Sequence, residues 1–207
     1  MKRKIIYPLA ALLCLIFLQG CVSAGSSPKA RFYAVRSADK AAVTETFNVP
    51  EGLVIAVGPV KIADYLNRPQ IVTLNNDNML KFAEFDRWGE SVDFALARVL
   101  NENLSLMLPQ VSIEMFPWNL MMPVRYQVSL DVIGLDLRLD KGLVLSVQWS
   151  IINLDAKKME VTRRFQISED IKPDNYAGAA DALGKAYAAL SLEIAREVSV
   201  LANNPQD

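Results

Sequence analysis

Between Val124 and Val132 the apolar residues Val124, Tyr126, Val128, Leu130 and Val132 alternate with Arg125, Gln127, Ser129 and Asp131. Successive side chains of a strand point to opposite faces, so this pattern demands a strand with one buried face and one wet face. The phase then slips by one residue, and Ile133, Leu135, Leu137 and Leu139 carry the apolar face. A slip beside Gly134 is what a β-bulge produces. Asp140-Lys141-Gly142 predicts a turn, after which Leu143, Leu145, Val147, Trp149 and Ile151 restore the alternation over 143–154. A second turn at 155–158 leads into a third strand over 159–168. The whole reads as an antiparallel meander over about 124–168 with one face that another element must cover.

Two stretches can supply that cover. In residues 88–108, Trp88, Val92, Leu96, Val99, Leu100, Leu104 and Met107 recur at spacings of three and four, the stripe of an amphipathic helix, which Pro109 ends. In residues 174–202, Tyr176, Ala180, Leu183, Tyr187, Leu190, Ile194, Val198 and Leu201 line one side, alanines fill much of the rest, and Asp174 is placed to cap the start. This second helix reads as core packing, with a coiled-coil partner helix of about three heptads as the alternative.

Upstream, Phe32, Tyr33 and Val35 mark a first strand over 31–36, followed by a polar connection to Gly52. Residues 53–60 form an apolar run broken only by Gly58 and Pro59, a strand buried on both faces. A short helix around 63–66 must stop at Arg68, which Pro69 restricts to extended conformations. Residues 71–74 and 79–85 then pair as a hairpin across Asn75-Asn76-Asp77-Asn78.

The chain begins with Met1-Lys2-Arg3-Lys4, an apolar run over 5–18, and Leu18-Gln19-Gly20-Cys21. A basic start and an apolar stretch too short to stay as a span read as a secretory signal. Leu-Gln-Gly-Cys has the form of a bacterial lipobox, after which Cys21 carries a diacylglycerol thioether and an N-acyl chain. The alternative is an ordinary secretory signal cut later, near Val22-Ser23-Ala24. Residues 1–20 are then the signal peptide, 21–30 a small and polar tether, and 31–207 a single domain. Cleavage before Cys21 lowers Lys plus Arg from 22 to 19 against 23 acidic residues, a net charge of −4. That balance is unsuited to neutralising phosphates, so nucleic acid is not an expected partner. Cys14 leaves with the signal, so no internal disulfide can form.

Histidine is absent from all 207 residues, which removes Ser-His-Asp and Cys-His catalysis and the usual zinc ligand sets. No Gly-x-x-x-x-Gly-Lys phosphate loop occurs. Asp131, Asp136 and Asp140 fall on the polar side of one strand and its turn, and Arg163 and Arg164 face opposite sides of another. No cofactor and no metal site is expected, and the chain does not read as an enzyme. The loop Tyr65-Leu66-Asn67-Arg68-Pro69-Gln70 is the stretch suited to contacts. The other reading has Tyr65 and Leu66 capping the core with Arg68 solvated, and Trp88 likewise divides between core and interface.

Three segments resemble the PqiC/YmbA-type auxiliary lipoproteins of MCE-type ABC transport systems. They are Tyr65-Leu66-Asn67-Arg68-Pro69-Gln70-Ile71-Val72, Phe85-Asp86-Arg87-Trp88-Gly89-Glu90 and Arg98-Val99-Leu100-Asn101-Glu102-Asn103-Leu104. The resemblance implies an α/β domain with a mixed β-sheet, here the meander packed by two long helices over about 88–108 and 174–202. It implies a protein facing the periplasm and tethered to the outer membrane. There it would anchor or cap a ring- or tube-forming MCE-domain protein that carries phospholipid, as a homo-oligomer held to the membrane by several anchors. Val22, rather than aspartate, after the lipidated cysteine agrees with the outer membrane. Tyr65, Leu66, Arg68, Pro69 and Trp88 are the expected partner contacts. The competing expectation is a lipid carrier, with an acyl chain enclosed between the apolar face of residues 143–151 and the final helix.

Overall fold

The computed structural model describes residues 28–204. The signal segment 1–20, Cys21 and most of the 21–30 tether lie outside the described residues. In order, the elements are β1 (Arg31–Tyr33), β2 (Val54–Ile62), a 3-10 turn (Asp64–Leu66), β3 (Gln70–Leu74), β4 (Leu80–Trp88), α1 (Val92–Met107), β5 (Ser112–Met115), β6 (Tyr126–Arg138), β7 (Gly142–Asn153), β8 (Lys158–Glu169) and α2 (Tyr176–Asn203). They build two mixed sheets, a five-stranded one in the order β5-β2-β6-β7-β8 and a three-stranded one in the order β1-β4-β3. β2 runs parallel to both β5 and β6, and β6, β7 and β8 form the antiparallel meander.

The meander obeys its sequence pattern. Leu143, Leu145, Val147, Trp149 and Ile151 are all at most 1% exposed. The register of β6 against β7 shifts between Val132 and Gly134. Ile133 is the bulged residue and stands 50% exposed, so the apolar face resumes at Leu135 and Leu137 rather than at Ile133. Both helices lie on the buried face. Leu96, Val99, Leu100 and Leu104 of α1 and Leu183, Tyr187, Leu190, Ile194 and Val198 of α2 join the strands in one continuous cluster. Each such side chain, fully buried, contributes about 1.5–3 kcal/mol. The final helix is thus a core helix.

Four features differ from the sequence expectation. Trp88 is the last residue of β4, not the first turn of α1; it pairs with Tyr33, and Gly89, Glu90 and Ser91 separate it from the helix. Its spacing from Val92 matches a helical stripe only because a buried strand end precedes the helix in phase. The cap of α2 is Asn175, whose Oδ1 accepts a hydrogen bond from the Gly178 N–H at 2.9 Å, not Asp174. β5 is a four-residue edge strand too short and mixed to show a period. The first strand ends at Tyr33 rather than at 36, and the connection that follows is not merely polar, since Val49 enters the core at 6% exposure.

Two substitutions test this packing. A Cβ at Gly184 would stand 2.7 Å from the Arg36 carbonyl oxygen. Gly→Ala ordinarily stabilises a helix interior by about 1 kcal/mol. At Gly184 the sign reverses, and Gly184→Ala should lower the urea-unfolding stability by about 1–3 kcal/mol. The phenol of Tyr187 is fully buried without a hydrogen-bond partner among the described residues, and burial pushes its pKa up. Tyr187→Phe removes an unpaired hydroxyl and keeps the ring, so the same measurement should show unchanged or higher stability, by up to about 1 kcal/mol.

Candidate functional site

The segment that leads in from the N-terminus is held at every step. The Arg31 guanidinium donates through Nε and Nη2 to Oδ1 and Oδ2 of Asp86, at 2.7 and 2.8 Å. The Tyr33 hydroxyl donates to the same Oδ1 at 2.7 Å, and the Gly89 N–H donates to the Tyr33 carbonyl at 2.7 Å. Two residues on, Arg98 of α1 donates through Nη2 to the Val35 carbonyl at 3.1 Å while ion-pairing with Glu90 and Glu102. Asn103 accepts from the Ala38 N–H at 2.8 Å, and its amide donates to Ser191 of α2 at 3.0 Å. The bidentate pair with Arg31, assisted by Tyr33, holds the Asp86 carboxyl below the ordinary value of 3.8. Burial, then the bond to Asp86, raises the Tyr33 phenol.

Asp86, Gly89 and Glu90 belong to the second of the three motif segments, and Arg98, Glu102 and Asn103 to the third. Their roles are therefore one role: they clamp residues 31–38, at the start of the described body. Asn101, in the same helical motif, donates to the Ile113 carbonyl at 3.3 Å and so ties in the edge strand β5.

The first motif segment joins the two sheets. The Tyr65 hydroxyl accepts from the Leu135 N–H at 3.0 Å, just past the bulge of β6, and burial raises its pKa. The Pro69 carbonyl accepts from the Trp88 N–H at 2.8 Å. Arg68 lies over the ring of Phe82, with its guanidinium carbon 4.2 Å from the centroid. Leu66 and Trp88 are only 4% and 7% exposed. Both side chains are used inside the chain's own core and shape the loop from beneath, in line with the alternative reading of Leu66 and Trp88 as core residues. Pro69 is exposed and Arg68 is partly buried under its contact with Phe82, while Leu80 and Phe82, half-exposed, are two residues apart on one face of β4. Neither β4 residue was singled out in the sequence, because Leu80, Phe82 and Phe85 do not keep one alternation. The hairpin tip is fixed as well, by Lys141 to Asn76 at 2.7 Å and Arg138 to Asn78 at 3.3 Å.

Other candidates stay apart. The sheet face of residues 143–151, the alternative acyl-chain site, is packed shut against α2. A cleft of about 620 Å³ lies between residues 32–42 and α2, lined mainly by alanines with Arg36, Asp39, Asp181 and Lys185 at its polar points. Arg163 bonds Glu197 of α2 at 2.8 Å, as one face of β8 requires, while Arg164 pairs opposite Gln148 on the other. Among the described residues, no group of three or more His, Cys, Asp or Glu side chains could hold a metal ion, and no helix is long and apolar enough to cross a membrane.

A family model described as an ABC-type transport auxiliary lipoprotein component matches residues 33–195. The fold is similar to that of an uncharacterised protein known from a crystal structure, with a TM-score of 0.68 and 22% identity, covering 83% of this chain and 99% of that one. It is also similar to XCC0632 from Xanthomonas campestris, of the DUF330 family, with a TM-score of 0.63 and 12% identity, covering 82% of this chain and 95% of that one. At these identities the likeness is one of fold. No curated protein matches the sequence.

The clamp has a pH signature. Because the folded-state pKa of Asp86 is lowered, its stabilising contribution is present above the unfolded value and is lost as pH falls through the folded one. Asp86→Asn should therefore reduce the urea midpoint at neutral pH, and its deficit against wild type should shrink in acid below 3.8. An equal deficit at both pH values would separate the clamp from the Asp86 charge.

Proposed function

The chain belongs to the family of ABC-type transport auxiliary lipoprotein components, and on that premise we propose that it serves an MCE-type system moving phospholipid between membranes. Acyl chains on Cys21 hold it to the outer membrane on the periplasmic side, and the folded body anchors or caps the MCE-domain partner without catalysing a reaction. Copies of the chain act together, since several weak membrane attachments on one assembly raise the effective concentration of each.

The observation that carries this reading is the clamp on residues 31–38. Two of the three motif segments converge on the stretch that follows the tether, with an ion pair, a tyrosine and two helix side chains bonding it in turn. A tethered adaptor needs its point of attachment fixed to a rigid body, so that the position of the anchor sets the position of the docking face. The first motif segment supplies that face, with exposed Pro69 and with Arg68 set over the ring of Phe82 on β4. An arginine set over an exposed aromatic ring is a hot-spot arrangement, apolar in area and charged at its edge.

Full-length lipidated chain, reconstituted in detergent with its cognate MCE-domain protein, should give a stoichiometric complex by light scattering. Arg68→Ala and Phe82→Ala should each weaken it by at least about tenfold, or about 1.4 kcal/mol, and because Arg68 is partly buried, circular dichroism of each free variant should show the fold retained. A chain that ignores the MCE-domain protein sinks the partner assignment. A complex indifferent to both substitutions moves the docking face elsewhere on the body.

A further inference from the structure

The segment 116–123, Phe116-Pro117-Trp118-Asn119-Leu120-Met121-Met122-Pro123, has no counterpart in the core and carries no charge; the nearest charged residues are Glu114 and Arg125. Leu120 and Met121 are 92% and 87% exposed, the most exposed large apolar side chains of the described body. Apolar residues scattered singly over a surface need no explanation, but two adjacent ones at a loop tip between aromatics do.

The loop is built to present them. At its base the Phe116 N–H donates to the Val57 carbonyl at 2.8 Å, and the Phe116 side chain presses on Gly58, where a Cβ would stand 2.9 Å from its own Cβ. Phe116 and Trp118 meet edge to face at 5.8 Å. Trp118 and Met122 pack with Leu154 on Val54, Ala56 and Val124, a small cluster apart from the main core. At the tip, Asn119 Oδ1 accepts from the Met121 N–H at 2.9 Å, and the Asn119 carbonyl accepts from the Met122 N–H at 2.9 Å. The turn thus satisfies much of its own backbone while its apolar side chains point outward. That is the condition for entering a lipid interface, where unpaired peptide groups are costly.

We infer that residues 116–123 form a second membrane contact, which places Leu120 and Met121 in the interfacial layer of a phospholipid bilayer with Trp118 at headgroup level. The inference rests on the reading that the chain is held to a bilayer through Cys21. From Cys21 to Pro28, the first described residue, the chain spans at most about 25 Å, so the body never leaves the bilayer's vicinity. Lipid is therefore the apolar phase always within reach, and an uncharged loop bearing tryptophan, leucine and methionine suits it. The clamp lies beside the start of α2, where Tyr33 and Tyr176 rings are 6.3 Å apart. The loop returns to the start of β6, whose Tyr126 hydroxyl bonds the Leu201 carbonyl near the far end of α2. Two attachments toward opposite ends of that helix hold its axis along the bilayer, whereas an acyl anchor alone leaves the body free to tumble.

The test uses the full lipidated chain in vesicles of phosphatidylethanolamine and phosphatidylglycerol, with and without bromine on the acyl chains. Trp88 and Trp149 are 7% and 0% exposed, so bromine quenching reports Trp118. Flotation with the vesicles reads the anchor separately. The expected result is flotation of every variant, with quenching in wild type that is lost in Trp118→Phe and in the Leu120→Glu, Met121→Glu double variant. Flotation without quenching overturns the loop contact and leaves the anchor standing. Absence of flotation removes the anchored premise, and the loop contact with it. Trp118 emission that responds to the MCE-domain protein and not to brominated lipid overturns the inference in favour of a protein contact.

Discussion

Covering one face of the five-stranded sheet is the constraint on which the rest of the molecule depends. β7 places five large side chains on that face, all essentially without solvent exposure, and α1 and α2 close over them. Closure is tight because α2 meets the body through small residues: Ala179, Ala182, Ala186 and Ala195 are at most 1% exposed, and Gly184 admits the Arg36 carbonyl. The strip of chain over 34–38 is thereby caught beside both helices. Its polar backbone is satisfied by side chains rather than by a strand partner, which is why Asn103 and Ser191 sit fully buried in a helix interface otherwise apolar.

The small sheet is tied to the large one beside the bulge of β6 and again at the β6–β7 turn. β2 stops pairing with β6 at Ile62 opposite Val132, so just past the bulge the Leu135 N–H meets no β2 partner and is taken by the Tyr65 phenol. The 3-10 turn that carries Tyr65 also buries Leu66 and delivers Pro69 to the Trp88 N–H. The turn after β2 thus sets the position of the hairpin, and so of Arg68 over Phe82.

The meander, its bulge, the hairpin and the final helix were legible in the sequence because each rests on a period of two or of 3.6, read over many residues. Trp88 was misread for the same reason inverted: a buried strand end standing four residues before Val92 imitates a helical stripe. The clamp was not legible, since Asp86 and Arg31 are 55 residues apart and nothing local marks a carboxylate that will be buried against a distant guanidinium. Resemblance picked out the segments that hold Asp86, Arg98 and Asn103, while only the tertiary structure shows that they act on one stretch of chain. The apolar loop did carry a signal, an uncharged run framed by Pro117 and Pro123, but it has no periodicity and so fell outside a reading based on periods.

Once the core has taken the residues that alternate with the sheet and line the two helices, several large apolar side chains stay outside, and two pairs among them fall in separate places. Leu80 and Phe82 lie on the small sheet, and Leu120 and Met121 lie on the loop beyond β5. Neither pair fills a gap, and each is held by a local device that the fold does not otherwise need, Arg68 set over Phe82 in one case and the Asn119 turn in the other. A body that only had to fold would gain solubility by replacing these side chains with polar ones at little cost, since exposed positions contribute little to stability. Rigid presentation of apolar groups at two points, on a body clamped to its own tether, is the arrangement expected of an adaptor whose orientation matters. The proposed partner face and the proposed lipid contact then fall on different sheets, so that one can be engaged without displacing the other.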